Sequence, residues 1–434
     1  MNKFFKLFLI LFCVYNLSYS QKITQINTTV IAKDSSFTIK LIKRFHNKTN
    51  FTSTKQSIYD RDIFSPKSVN ILDSKNKVYV NSLEGFSTIV YDLNTLKKLK
   101  VIKHEFNAKN QYLFKDTNYY NYKFTTKNKN FDFFKGKPVE GCFSHNNKYF
   151  WVTYYRRDYD KNAVNPSALC IIDTEKDSIV RVMPTAPLPK VITYSKETEK
   201  IIVTNWGDNT ASIIDVSSED VNSFKYVANI IVDKKYEVKN NNNLQIDRDK
   251  LCGDCLRGTA FSPDGKYVFL GKSMNNSLAL IDVLESKYLG NIYGMKPEVR
   301  HIVVNNDYIY LAVTNLGFIQ RTNIYNLIDS LTNGNFNYTS WDEIYLGKGI
   351  RTIKVTDDGK YLFAAINNES KIAVVNIKKY EIVCYIDADS YPVGLDVSKD
   401  GKYLFVTSQG KNGIGGNSLT VYELKYKNEN LVRR

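Results

Sequence analysis

The sequence is poor in the residues that mark several fold classes. Nine prolines and 21 glycines in 434 residues exclude collagen-like and proline-rich low-complexity chains. Six cysteines are too few over this length for a disulfide scaffold. Removing a leader that carries Cys13 leaves five, Cys142, Cys170, Cys252, Cys255 and Cys384, an odd number that keeps at least one thiol free. Only four histidines occur, His46, His104, His145 and His301, and none stands in a metal-ligand spacing or a nucleophile elbow. No metal or cofactor is therefore expected. After the N-terminus no apolar run approaches the roughly 18 residues of a spanning helix, so no membrane span is expected. Acidic residues are also the minority, 44 against 60 basic ones.

The N-terminus reads as an export signal. Lys3 and Lys6 precede an apolar run from Leu7 to Val14, and Ser18-Tyr19-Ser20 places small residues where a signal peptidase cuts. Residues 1–20 are thus a signal peptide, cleaved before Gln21, and the chain is periplasmic or secreted. Phe12 before Cys13 is too bulky for lipoprotein processing. Loss of two lysines leaves 58 basic against 44 acidic residues, a net +14. That charge favours anionic partners, nucleic acid among them as a minor expectation, although a lysine-rich composition also arises from genome bias.

With 43% hydrophobic residues, 31 Tyr and 24 Phe, the chain has the apolar stock for a large core, and internal repeats organise it. Leu256-Arg-Gly-Thr-Ala-Phe-Ser-Pro-Asp-Gly-Lys-Tyr-Val-Phe-Leu270 is followed by a polar turn and Leu278–Val283. The same grammar returns at Ile350–Phe363 with Lys371–Ile377, and at Pro392–Val406 with Ser418–Tyr422. Weaker copies begin at Pro66, Pro138, Pro189 and Val299, which makes seven. Asp-Gly-Lys between alternating apolar runs is a tight hairpin signal, because glycine supplies a positive φ. Units of three or four antiparallel strands every ~40–50 residues define an all-β chain, a seven-bladed β-propeller of four-stranded antiparallel blades. The last copy stops after its third strand, near Lys425, while Phe37–Phe45 is an orphan strand ahead of the first. The N-terminal strand is therefore expected to complete the seventh blade and remove a sheet edge. The organisation that follows is a segment 21–62 with the closing strand, a propeller over 63–425 with insertions at 107–135 and 233–251, and a tail over 426–434.

Tyr79-Val80-Asn81, Val203-Thr204-Asn205-Trp206 with Ser212–Asp215, and the Asp-Gly-Lys turns resemble the YVTN-type (YncE-like) seven-bladed propellers over roughly residues 60–425. The resemblance implies the fold. It transfers no catalytic residue, since the repeat motifs are structural, and the family spans binding and surface proteins with relatives among lactonase-like propellers. The long aromatic insertion and the four copies without Asp-Gly-Lys depart from the family pattern.

Aligned on the first strand, the copies share one position, occupied by Lys67, Val139, Lys190, Arg257, Arg300, Arg351 and Val393. Five of the seven are cationic, and the start of an innermost strand places them around one channel mouth. Such a ring is offset either by a bound anion, by Glu140 and His301, or by bonds from each cation to carbonyls of the adjacent blade. Turns between second and third strands, Tyr154–Tyr159 with Arg156, Trp206–Asn209 and Gly410–Gly413, are expected on the same face and supply contact residues. The insertion 107–135 holds nine aromatics and six lysines against two acids; packing on its own blade is expected before stacking on a ligand.

Cys252-Gly-Asp-Cys255 lacks the following His of haem attachment, because Leu256 comes next. A local disulfide is the leading reading, with a free or redox-active pair behind it. Cys142 and Cys170 fall on first and third strands, ~10 Å apart and too far to bridge. Lys67, Lys190, Arg257, Arg300, Arg351, Trp206 and Arg156 are thus the candidate ligand residues of a monomeric, non-catalytic propeller that takes an anionic or protein ligand at its mouth. The alternatives are a lactonase-like hydrolase using Arg300, His301 and Glu140, and an envelope or surface interaction protein with an unoccupied channel.

Overall fold

The three Asp-Gly-Lys turns are built alike. Ser262, Thr356 and Ser398 each donate from the side-chain oxygen to the aspartate two residues on, at 2.5, 2.7 and 2.7 Å. Each aspartate accepts the amide of the following lysine at 3.0–3.1 Å, and Gly265, Gly359 and Gly401 take φ near 70° (71°, 69°, 71°). The four copies without this motif turn through other residues at positive φ, Asn76, Asn147, Glu199 and Asn306. Asparagine, present at three of the four, tolerates that conformation, so those hairpins persist without the glycine.

The computed structural model describes residues 22–48, 53–116, 122, 130–236, 246–409 and 416–427. The signal-peptide segment, the Gly410–Gly413 turn, parts of the two long insertions and the tail from 428 lie outside the described residues. Seven sheets follow in chain order, antiparallel except where Ser57–Tyr59 pairs parallel with Phe37–His46. Their first strands, Pro66–Leu72, Phe134–Ser144, Pro189–Ser195, Leu256–Phe261, Val299–Asn305, Ile350–Val355 and Pro392–Val397, each touch the next, and the last touches the first. The chain is a seven-bladed β-propeller.

Seven hydrophobic clusters hold the ring, one between each pair of consecutive blades. Trp151 of the second blade stacks on Phe224 of the third at 5.5 Å, for example, and both are buried. Middle strands are covered on both faces, which is why Ile201–Val203 and Phe269–Leu270 read as continuous apolar runs. Outer strands such as Lys98–Lys103 face solvent along most of their length.

Phe37–His46 pairs antiparallel with Ser418–Tyr426 and so supplies the outer strand of the seventh blade. A buried network locks it there. Arg44 donates through Nε and Nη2 to the two carboxylate oxygens of Asp389, both at 2.8 Å, and also to the Thr24 carbonyl. Asp389 further accepts Ser418 Oγ at 2.6 Å and the Thr24 amide at 3.0 Å.

Two sheets exceed four strands. The seventh blade gains Thr29–Ile31 and Ser57–Tyr59 at the outer edge, and the second gains Glu105–Phe106. The second blade also corrects one expectation. Tyr154 to Arg157 belong to its long second strand, Tyr149–Arg157, rather than to the following turn, because the first strand extends back to Phe134 and pairs Gly136 with Arg157. A side chain at Gly136 would run into the Tyr154 ring at 2.7 Å. A helix, Ile324–Thr332, is inserted in the fifth blade, capped by Asn323 accepting the Tyr325 and Asn326 amides. In the described part of the insertion 107–135, Phe114 and Phe134 pack with Phe106 and Tyr154 at 5.0–6.2 Å.

Replacing Asp389 by Asn leaves the buried Arg44 guanidinium without its counter-charge. We expect a loss of about 3–5 kcal/mol in denaturant unfolding, and a much smaller one for an Arg44→Leu/Asp389→Leu double replacement. Equal losses in the two would show that the ion pair is not what locks the strand.

Candidate functional site

Every first strand starts at the same face, so the residue at its head points into the mouth of the channel. A cavity of about 420 Å³ opens there, lined by Lys67, Glu140, Lys190, Arg257, Arg300 and Arg351 from the first strands. Glu84, Tyr155, Arg156, Trp206 and Gln409 from second strands and the turns after them, and Asp249 from the insertion 233–251, complete the wall. A second cavity of about 410 Å³ continues down the lumen between all seven first strands, with Glu140 bordering both and His301 in the lower one. The five cations, Glu140, Trp206 and Arg156 are therefore brought together, and His301 is not.

The charges fall into two groups. Lys190 is buried against Asp249, Nζ to Oδ1 3.2 Å, and its ammonium lies 4.0 Å from the Tyr155 ring centroid and 4.8 Å from that of Trp206. Arg257, 6% exposed, pairs with Glu140 at 3.5 Å, yet its Nε has no hydrogen-bond partner among the described residues. Glu84 is neutralised by Lys137 at 2.6 Å, and Arg156 donates to the Lys161 carbonyl while lying over Tyr155. Lys67, Arg300 and Arg351, half-buried on the first, fifth and sixth blades, have neither an ion pair nor a carbonyl partner among the described residues, and Arg300 Nε is buried and unsatisfied. Bonds to the adjacent blade do not account for these three.

Titration follows from that crowding. Burial, then Arg351 and Arg257, pull Lys67 well below the usual lysine range. Burial also lowers Lys190 to about 7 despite Asp249. Arg351 falls to about 9 through burial and Arg257, and Arg300 drops for the same reasons. Burial, Arg257 and Arg300 depress His301 to about 3, and its Nδ1 accepts the Ile353 amide at 3.5 Å. A neutral imidazole so placed is a structural acceptor.

Asp249, Glu84 and Gln409 are wall residues that neither the repeat alignment nor the turn segments single out. Asp249 lies 59 positions from its partner Lys190, on a loop held by three links. Trp206 Nε1 donates to the Asp249 carbonyl at 3.2 Å, Arg248 donates to the Gly207 carbonyl at 2.6 Å, and a disulfide joins Cys252 to Cys255. Cys142, Cys170 and Cys384 are free thiols, and burial raises the Cys170 and Cys384 thiols to about 12. Among the described residues no three His, Cys, Asp or Glu side chains converge as metal ligands, and no helix is long and apolar enough to cross a membrane.

No family model matches the chain, and no curated protein matches it by sequence. Solved structures do share its fold. A Kuenenia stuttgartiensis hydrazine synthase chain is 12% identical at a TM-score of 0.58, covering 85% of this chain and 98% of that one. The β-propeller domain of Myceliophteria thermophila Cps50 (Swd1) is 7% identical at 0.56, covering 82% and 96%. At such identities the likeness is one of fold alone.

A lysine whose folded pKa lies below its unfolded value binds fewer protons folded than unfolded between the two values. Stability then rises with pH across that window, which for Lys190 runs from about 7 to the ordinary lysine range. Lys67→Met is expected to raise the stability of the ligand-free protein by about 1 kcal/mol at neutral pH and to flatten this alkaline rise. Calorimetric melting across pH reads both effects, and a destabilised Lys67→Met would mean that the ammonium has a partner.

Proposed function

We propose that the protein is an exported, non-catalytic β-propeller whose cationic mouth binds an anionic ligand. One observation carries this reading. Three cations converge on a cavity without an ion-pair partner among the described residues, a costly arrangement that an anion relieves. The positively charged start of the chain, its apolar run and Ser18-Tyr19-Ser20 support export. The Tyr-Val-Asn and Val-Thr-Asn segments support a place among YVTN-type propellers. Asn81 bridges Ser68 and Thr88, and Asn205 donates to Thr210 and Ser212, so the motif asparagine ties the second strand to its neighbours.

The lactonase-like reading has less support. Arg300 and Glu140 face the mouth, whereas His301, the third member of that set, lies in the lower cavity as a neutral acceptor. Use of the blade sides by a surface partner has no specific observation in its favour.

The test is a thermal-shift series on the chain beginning at Gln21, at two salt concentrations, against heparin-like polysaccharide, single-stranded DNA, sugar phosphates and lactones. A salt-sensitive stabilisation by an anion is expected, abolished in Arg257→Ala/Arg351→Ala when each protein is referred to its own ligand-free melting point. No shift with any anion at either salt sinks the proposal, and turnover of a lactone would restore the hydrolase.

A further inference from the structure

The mouth is not uniform, and its asymmetry names a ligand class. On one side stand Lys67, Arg300 and Arg351, none of them in an ion pair among the described residues, although Glu140 lies near enough to act on all three. On the other, each cation has a carboxylate, Lys190 with Asp249 and Arg257 with Glu140. There the wall is finished by Tyr155 and Trp206, whose rings flank the Lys190 ammonium.

The first side demands more than one negative charge. A single carboxylate brings one charge and two oxygens in a plane, which two forks already saturate. Three cations from three separate blades are matched by a tetrahedral group with about two charges and three acceptor oxygens. The second side offers an anion little, because Lys190 and Arg257 are already paired. Its carboxylates each make one ion pair, Asp249 taking a further bond from Tyr155, and keep lone pairs that accept hydroxyl donors. A polyanion charged along its whole length would set charge against Asp249 and Glu140, whereas a neutral hydroxylated body would donate to them. A cavity of about 420 Å³ lies within the range of small-molecule sites, roughly 300–1,000 Å³.

We propose that the mouth binds a phosphate monoester of a small polyhydroxylated molecule, a sugar phosphate, with the phosphate on Lys67, Arg300 and Arg351 and the hydroxyls toward Asp249 and Glu140. This rests on the anion-binding reading above and goes further in giving the ligand a charged end and a neutral end.

Titration calorimetry with glucose monophosphate, inorganic phosphate, citrate and glucose separates the two claims. Glucose monophosphate should bind about tenfold tighter than inorganic phosphate or citrate, and glucose not measurably. Arg351→Met should weaken glucose monophosphate and inorganic phosphate alike, by about tenfold. Arg351→Lys, which keeps the charge, should retain most of the affinity and so exclude a folding defect. Asp249→Asn should cost affinity for glucose monophosphate while leaving inorganic phosphate at least as tight. Glucose monophosphate no tighter than phosphate, or weaker than citrate, overturns the ligand class while the anion mouth stands. Absence of binding by every anion overturns both.

Discussion

Ring closure is the constraint on which everything else in this molecule depends. A blade buries apolar side chains on both faces only if it has a neighbour on each side, so an open ring of seven would leave two faces and one sheet edge exposed. The chain meets this by returning its N-terminal strand Phe37–His46 to the C-terminal strand Ser418–Tyr426 and fastening it with Arg44 and Asp389. A buried ion pair is weak support for stability in itself. Here its value is positional, since Asp389 also gathers Ser418 and the Thr24 amide, and the pairing register is thereby fixed.

Once closed, the propeller places its cores between blades and leaves the axis free of packing duty. Side chains at the heads of the first strands then face one another across a cavity and are selected for charge rather than volume. That freedom explains how the mouth holds so many cations without disturbing the fold. It also explains their shifted titration, because low-dielectric walls and neighbouring charges both oppose the protonated form. Natural chains stand above a stability threshold and tolerate such costs mainly where function needs them.

Much of this was legible in the sequence for a physical reason. Hairpins and innermost-strand heads are local features, repeated seven times, so period and alignment reveal them; the Asp-Gly-Lys turns and the recurrent cationic position are visible without coordinates. Features that depend on contacts between distant segments were not. The second strand of the second blade runs through Tyr154 to Arg157 only because the first strand begins early, at Phe134. The extra strands Thr29–Ile31 and Ser57–Tyr59 exist only as partners of the closing strand. The helix Ile324–Thr332 carried a readable signal, an asparagine cap followed by buried Ile324, Leu327 and Leu331 at helical spacing, which the strand repeat masks. His301 stands one step deeper than the repeat alignment suggests, because the pairing with the second strand is interrupted between Val299 and His301: Arg300 lines the mouth and His301 the lumen.

The division of the mouth into unpaired and paired cations reflects two origins. Its charge belongs to the repeat, since the same strand position supplies all five cations. Its carboxylates do not. Glu140 is particular to the second blade, and Asp249 comes from an insertion pinned by Trp206, Arg248 and the Cys252–Cys255 link. Insertions vary without disturbing the blades, because the cores lie elsewhere and loops tolerate change. A propeller of this kind can therefore keep a general attraction for anions while its loops decide which anion fits.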